Sequence, residues 1–320
     1  MERDPYTHEL DEFPVLIQVV STEKGIIPQL VEKDYWIMHC LYGLTAQGFE
    51  FELKGGTSLS KGFDIIKRFS EDIDIRFEPP PPDELGFEVF TGKNQTKKPQ
   101  HIESRKKFYD WLAENISIDG IVNVERDYAF DDELYRSGGI RLNYKSQFES
   151  LSGLKEGILL EIGFDDTTPN ENVTISSWAY DKAASSVTIH DNRAQNIKCY
   201  NPGYTFVEKM QAISTKFRQQ QESGTLPTNF LRHYYDVSQL LHHPIVQKFI
   251  GTEDYHARKS VRFRKDDNLN ISENEAFLLS DQATKDLYTA EFNKTIDLYY
   301  EGQPNFDTII STIHSNIHKL

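Results

Sequence analysis

The stretch that most constrains how this chain folds covers residues 54–76. Two glycines and two hydroxyl residues lie near its start, and the alternating pattern Asp-Ile-Asp-Ile lies near its end, with acids at Asp72 and Asp74. Alternation of this kind predicts a β-strand, on which residues two apart point to the same face. We therefore expect a glycine turn, a short helical segment and a strand in that order, with two carboxylates side by side.

The chemistry of this stretch predicts a site for phosphate and metal. Two neighbouring carboxylates repel each other unless a cation lies between them, and Mg²⁺ takes one or two carboxylates together with substrate phosphates. A turn that opens a helix offers backbone N–H groups and the positive end of the helix dipole to a phosphate. The residues of this turn are Gly55, Gly56, Thr57 and Ser58. The alternative interpretation is a glycine turn followed by a strand that carries two exposed acids.

Composition limits the class of protein. The net charge of −15 argues against a surface coated in basic residues for nucleic acid, although it leaves room for a local basic groove. Cys40 and Cys199 give neither a zinc pattern nor a disulfide framework, and they fit a reducing compartment. No apolar run approaches the ~18 residues of a membrane span, and residues 1–5 lack a signal-peptide core. We expect a soluble, cytoplasmic protein with no membrane partner.

The rest of the chain predicts strands first and helices later. The strand candidates are residues 121–128, 140–146, 157–164, 172–178 and 186–190. The helix candidates are residues 28–47, 101–116, 204–221, 228–241, 253–261, 280–299 and 305–318. We therefore expect one domain over residues 1–200 and a helical domain over residues 201–320.

Glu161 is a lone acid in the otherwise apolar strand candidate 157–164. A carboxylate buried there without a partner would be costly. Two interpretations stay open: Glu161 shares a metal ion with Asp72 and Asp74, or it lies on an edge strand and faces water.

Two clusters of basic residues follow. We interpret the cluster Arg105, Lys106 and Lys107 as the solvated face of a helix. The denser cluster contains Arg258, Lys259, Arg262, Arg264 and Lys265. It either contacts an RNA backbone or forms another solvated face.

Four motif segments and one additional run together resemble a known family. Residues 54–61, Lys-Gly-Gly-Thr-Ser-Leu-Ser-Lys, and residues 68–74, Arg-Phe-Ser-Glu-Asp-Ile-Asp, resemble the polymerase-beta-like nucleotidyltransferases and, more specifically, the AbiEii/AbiGii nucleotidyltransferase toxin family. Residues 33–36, Lys-Asp-Tyr-Trp, are similar to a Lys-Asp-aromatic run of the family, and we interpret them as part of an amphipathic helix that packs on the sheet. Residues 205–209, Thr-Phe-Val-Glu-Lys, resemble the third family motif, and residues 232–236, Arg-His-Tyr-Tyr-Asp, resemble the fourth.

The resemblance implies a fold and a set of site residues. The fold is α/β (α+β), a polymerase-beta-like nucleotidyltransferase domain with a mixed sheet, and the C-terminal helical domain completes the active site. Catalytic roles fall on Asp72, Asp74, Lys209 and Asp236, and a third metal acid on a neighbouring strand would be Glu161. Lys61 and Lys209 join the glycine turn in nucleotide binding, with Lys209 on the phosphates. Asp236 either acts as general base or orients Lys209.

The resemblance also implies an activity. The protein would transfer a nucleoside monophosphate from an NTP to an RNA acceptor, the tRNA 3′ end, with Mg²⁺ or Mn²⁺ as cofactor, and so block translation. It would be the toxin of a toxin–antitoxin or phage-defence pair. The cognate antitoxin, encoded nearby, would act without a stable complex or by a kinase-like route. Two alternatives stay open: transfer to a protein or small-molecule hydroxyl, and a non-catalytic scaffold that binds nucleotide or RNA.

Overall fold

The computed structural model of this protein describes residues 3–92, 97–149 and 154–320. The chain forms two compact units. The first comprises residues 1–62 and 69–200, and the second comprises residues 63–68 and 201–320. Within the described residues, no helix combines the length and the apolar character that crossing a membrane requires.

The first unit is built on a seven-stranded mixed sheet. Its strands are β1 Glu50–Lys54, β2 Asp72–Glu78, β3 Ile121–Asp127, β4 Ser137–Tyr144, β5 Ile158–Gly163, β6 Asn170–Ile175 and β7 Ala194–Tyr200, in the spatial order β3-β4-β5-β2-β1-β7-β6. The pairs β2–β5 and β1–β7 are parallel, and the other four pairs are antiparallel. The sheet confirms the predicted α/β class and the mixed sheet.

Six helices lie in the described part of the same unit. They are α1 Phe13–Lys24, α2 Pro28–Ala46, α3 Gly55–Thr57, which continues as a π-helical turn over Ser58–Gly62, α4 Pro82–Leu85, α5 Pro99–Asn115 and α6 Trp178–Ala184. The predicted helices at 28–47 and 101–116 are confirmed as α2 and α5. The interpretation of α2 as an amphipathic helix underestimates its burial, because the charged residues Lys33 and Asp34 are buried together with Leu30, Ile37 and Leu41.

The predicted strand at 186–190 is wrong, and the strand that lies between β1 and the edge strand β6 forms later in the chain as β7. Residues 186–188 are exposed, whereas β7 buries Ala194, Ile197 and Cys199. The buried residues of β7 do not follow a strict period of two, because Asn196 has a φ of 57° and the β6–β7 register shifts between Val173 and Ile175. The irregular strand therefore escapes a search for alternation.

The interpretation of Arg105 as solvent-facing is also wrong. Its guanidinium is buried within the first unit and donates to the carbonyl oxygens of Phe90, Leu134 and Tyr135. Three carbonyl acceptors satisfy a buried guanidinium without a carboxylate. Arg105 thus holds two loops against α5 instead of presenting charge to water.

The second unit is helical. Its helices are α7 Pro202–Ser223, α8 Arg232–Leu240, α9 Pro244–Phe249, α10 Glu253–Arg262, α11 Glu275–Leu278, α12 Gln282–Asn293 and α13 Phe306–Asn316. Helix α7 begins with Pro202 after the cap Asn201, whose side chain accepts from Gly203 N–H. Proline is favoured at the first position of a helix. The segment 63–68 packs in this unit: Lys67 O accepts from Tyr300 N–H, and Lys67 N–H donates to the hydroxyl of Tyr235.

Candidate active site

Three carboxylates meet on one face of the central strands β2 and β5. Parallel pairing places Asp74 of β2 directly opposite Glu161 of β5, and Asp72 lies two residues before Asp74 on the same strand. Residues two apart on a strand share a face, so the three acids project together. Strand β5 lies between β4 and β2 in the sheet, so the interpretation of Glu161 as an edge-strand acid is wrong.

Glu161 is held largely in its protonated form by this setting. Burial raises the pKa of the Glu161 carboxyl to about 8, and the neighbouring Asp74 adds to the shift through its charge and a hydrogen bond. Like charges this close cannot all stay ionised without a cation. A proton on Glu161 therefore reduces the repulsion among the three carboxylates when no metal cation is bound.

The glycine turn lies against this cluster. Gly55 has a φ of 71°, and a Cβ atom at this position would overlap the carboxylate of Asp74. Only glycine satisfies both conditions. The N–H groups of Gly55, Gly56 and Thr57 are the first of their helix and have no acceptor within it. The turn thus places the start of a helix, which favours a phosphate, beside the acids.

The two hydroxyls of the turn point inward. Thr57 is fully buried, and its Oγ1 donates to the carbonyl oxygen of Asp72 at 2.5 Å. Ser58 is equally buried, and its Oγ has no hydrogen-bond partner among the described residues. Burial raises the pKa of the nearby Cys199 thiol to about 12. Thr57 therefore fastens the turn to the start of β2, so a phosphate contact at Thr57 would have to come from the main chain.

Lys61, predicted to bind nucleotide, is engaged in a buried ion pair. Its Nζ lies 2.6 Å from Asp34 Oδ1 and 5.0 Å from the ring centre of Trp178. The second oxygen of Asp34 accepts from the backbone N–H of Trp178 at 2.8 Å. Asp34 of helix α2 thus fixes the end of the π-helical turn and the start of helix α6 together.

Lys33, the residue before Asp34, supports the two strands that carry the carboxylates. Lys33 is 1% exposed, and its Nζ donates to the carbonyl oxygen of Lys155 at 2.6 Å and to Glu71 at 3.4 Å. Glu71 in turn accepts from the backbone N–H of Lys155 at 3.2 Å. Glu71 immediately precedes Asp72, so this network fixes the start of β2 to the segment that leads into β5. The sequence analysis did not find Glu71 or Lys155 as site residues, although Glu71 lies inside the family string.

The second unit contains its own charged cluster, around Asp236 of α8. Asp236 is fully buried, and both of its oxygens accept from Arg68: Nε to Oδ1 at 2.7 Å and Nη2 to Oδ2 at 2.8 Å. Lys209 of α7 lies 3.0 Å from Oδ2. The pairing of Lys209 with Asp236 across two helices agrees with the third and fourth motifs. The bidentate partner Arg68 was missed as a site residue, although it opens the second family string.

The three charged residues of this cluster differ in pKa shift and in exposure, and Lys209 is the most exposed of them. Asp236 lies beside two cations, which hold the pKa of its carboxyl well below the ordinary value despite burial. Burial lowers the pKa of the Lys209 ammonium, and the Asp236 carboxylate opposes that shift. The Lys209 side chain is 11% exposed, whereas those of Arg68 and Asp236 are 2% and 0% exposed. Lys209 is therefore the most exposed of these three side chains.

The basic residues of α10 do not form an open basic face. Arg258 donates to Glu208 Oε1 at 2.5 Å, Arg262 lies 3.6 Å from the same atom, and Lys259 is buried. Glu208 precedes Lys209 on α7, so these arginines neutralise the acid next to Lys209. The interpretation of this cluster as a solvated face is wrong for Arg258 and Lys259.

The acids of the first unit fit a divalent cation that is completed by substrate. Within residues 3–92, 97–149 and 154–320, no group of three or more His, Cys, Asp or Glu side chains is arranged to hold a metal ion by itself. Mg²⁺ does not need such a group, since it binds through one or two carboxylates together with substrate phosphates and water. Asp72 and Asp74 offer two hard oxygen donors beside the glycine turn, which suits that mode.

Comparison with known proteins places the chain. The family model described as "Nucleotidyl transferase AbiEii toxin, Type IV TA system" matches residues 40–312, which confirms the predicted resemblance. No curated protein matches the chain. Among solved structures, an "antigenic nucleotidyltransferase-like protein from Paracoccidioides brasiliensis" has 11% identity and a TM-score of 0.33, covering 78% of this chain and 94% of that one, a likeness too distant to carry an argument. Because the family model spans most of its length, the chain belongs to the AbiEii family of nucleotidyltransferase toxins of type IV toxin–antitoxin systems.

Proposed function

We propose that this nucleotidyltransferase toxin transfers a nucleoside monophosphate from an NTP to the 3′ end of an RNA, tRNA above all, with Mg²⁺ or Mn²⁺ as cofactor. The observation that carries the proposal is the alignment of Asp72, Asp74 and Glu161 beside the Gly55 turn. Paired carboxylates next to free helix N–H groups suit a metal-bound triphosphate better than any other common ligand.

The acids and the turn divide the work on the substrate. Asp72 and Asp74 would hold the cation, and Glu161 would join them after losing its proton. When bound, the metal supplies Lewis acidity at the α-phosphate and lowers the pKa of the attacking hydroxyl. The N–H groups of Gly55 and Gly56 would donate to the phosphate oxygens on which charge develops.

Lys209 would bind the triphosphate as a point charge. Asp236 would hold it in place and would not serve as general base, because its two oxygens already accept from Arg68 and Lys209 and it is fully buried. A general base has to lie within hydrogen-bond reach of the proton that it removes. Lys61, paired with Asp34, would support the glycine turn in the same way and would not contact the nucleotide directly.

The biological consequence would be growth arrest. Extra nucleotides on the tRNA 3′ end prevent aminoacylation and so block translation, which suits a toxin that acts in the cytoplasm, in phage defence among other settings. The cognate antitoxin of this system would be encoded nearby and counter the activity without a stable complex. A protein or small-molecule acceptor is the second candidate, and the net charge of −15 favours it because RNA is repelled by an acidic surface.

The deciding experiment supplies each α-³²P-labelled NTP with Mg²⁺ and total cell lysate, and follows the label. Label on tRNA that disappears when the tRNA is first oxidised with periodate supports transfer to the 3′ terminal hydroxyl. Label on protein or on a small molecule supports the second candidate. No label above that of the Asp72→Asn, Asp74→Asn double variant, with every NTP, would leave only a non-catalytic scaffold and refute both.

A further inference from the structure

The ammonium group of Lys155 lies next to the carboxylate of Asp72, at the position where a bound cation would contact that carboxylate. Its Nζ lies 3.1 Å from Oδ2 and 3.4 Å from Oδ1 of Asp72, and 4.9 Å from the ring centre of Phe130. The Lys155 side chain is 36% exposed, whereas that of Asp72 is 12% exposed. The positive charge therefore covers the carboxylate from the solvent side.

The backbone of Lys155 is fixed while its side chain is free to move. Its N–H donates to Glu71 and its C=O accepts from the buried Lys33, so both main-chain groups are held by the network described above. A buried charged network of this kind costs stability unless every member is satisfied. Here it places one lysine on the rim of the carboxylate cluster. The Lys155 side chain is 36% exposed, so another cation can approach Asp72 from the solvent side and exchange with its ammonium.

The same carboxylate cannot serve the ammonium and a divalent cation equally well. A metal ion at Asp72 and Asp74 repels the ammonium of Lys155. A triphosphate that arrives with the metal brings negative charge to the same rim. A lysine is a compact, flexible donor suited to phosphate.

We propose that Lys155 is a further substrate-binding residue of this nucleotidyltransferase, an internal counterion that covers Asp72 in the metal-free protein and moves to the triphosphate when metal and nucleotide bind. The proposal rests on the proposed function. It assigns one residue two opposite effects: Lys155 weakens the binding of metal alone and strengthens the binding of the metal–nucleotide complex.

The test measures binding and not turnover. Free Mn²⁺ is followed by electron paramagnetic resonance during titration of the full-length protein without nucleotide. An α,β-methylene NTP, which cannot be cleaved at the reacting bond, is then titrated calorimetrically in saturating Mg²⁺. The variants are Lys155→Gln and the charge-conserving Lys155→Arg. Lys182→Gln is the matched control, because Lys182 also makes a single ion pair in the first unit at 40% exposure.

Lys155→Gln is expected to bind Mn²⁺ about two- to fivefold more tightly, the scale set by one ion pair with a partly exposed lysine. The same variant is expected to bind the analogue about tenfold more weakly, because a charge-assisted contact to phosphate is lost. Lys155→Arg should keep the affinity of the parent for Mn²⁺, and Lys182→Gln should match the parent in both titrations.

A purely structural role for Lys155 would weaken both affinities together, and that outcome overturns the proposal. Unchanged affinities in Lys155→Gln overturn it as well, while the proposed function survives if the parent binds both ligands. If the parent binds neither Mn²⁺ nor any of the four NTP analogues, the proposed function fails and Lys155 fails with it.

Discussion

Replacement of Asp236 by alanine should destabilise the second unit far more than replacement of Lys209. Asp236→Ala leaves the guanidinium of Arg68 buried at 2% exposure after losing both of its carboxylate bonds. Breaking a buried ion pair by removing one partner costs about 3–5 kcal/mol. Lys209→Ala keeps the Arg68–Asp236 pair and removes one contact of a side chain that is 11% exposed, which should cost about 1–2 kcal/mol.

These free energies correspond to clear shifts in stability. At about 2–4 °C per kcal/mol, Asp236→Ala should lower the Tm by roughly 10 °C, and Lys209→Ala by a few degrees. The signal should be circular dichroism at 222 nm, because the second unit is helical and all three tryptophans of the chain lie in the first unit. Urea titration followed in the same way gives the free energy of unfolding.

A double-mutant cycle separates the ion pair from simple loss of packing. Arg68→Met combined with Asp236→Ala should cost about 2 kcal/mol less than the sum of the two single changes, because the buried guanidinium that loses its carboxylate in Asp236→Ala is removed as well. An Asp236→Ala protein that unfolds within 1 kcal/mol of the parent would refute the argument that Asp236 is held as a buried counterion.

Four further predictions concern the first unit and the charge on Lys209. Asp74→Asn should abolish transfer yet raise the Tm of the metal-free protein, because it removes a negative charge that opposes the ionisation of Glu161; a lower Tm would contradict this. Glu161→Gln should cut activity and shift the metal titration of activity to higher concentration, and a titration that overlays the parent would exclude Glu161 as a metal ligand. Lys209→Arg should recover only part of the transfer lost in Lys209→Ala, since a planar guanidinium reaches phosphate at a different depth; full recovery in steady-state assays would argue against a point charge. Burial lowers the pKa of His39 from 6.5 to about 4. Between these values the unfolded state binds an extra proton, so stability falls as the pH drops through that window. His39→Gln should remove roughly 3 kcal/mol of this pH dependence in urea titrations at pH 7 and pH 4, and an unchanged dependence would show that His39 is protonated in the folded state.

Local patterns predicted most elements of the fold correctly. The alternation around Asp72 and Asp74 gave β2, and the caps and apolar periods gave α2, α5 and α7 close to their true ends. These signals lie within a few residues of one another, so they are legible in a single chain. Strand β7 was missed because Asn196 interrupts its period with a left-handed backbone conformation.

The partners of the charged residues could not be predicted in the same way. Lys33 bonds to a backbone carbonyl of Lys155, and Asp236 pairs with Arg68, each from a distant part of the chain. Charge alone does not tell a solvated lysine from a buried one, because burial depends on the tertiary packing of other elements. Glu161 shows the converse: its cost of burial indicated that it needed a partner, and strand pairing supplied Asp74.

Helix α2 places Lys33 and Asp34 next to each other, and each holds a different segment around the carboxylates. Consecutive helical residues point about 100° apart, since a turn takes 3.6 residues. Inserting or deleting one residue between Asp34 and Ile37 would turn both side chains away from their partners if the apolar face of the remaining helix stayed in the core. Natural length variation in relatives should therefore fall in the loops before and after α2 and not within the helix, because the spacing along the helix sets the positions of Lys33 and Asp34.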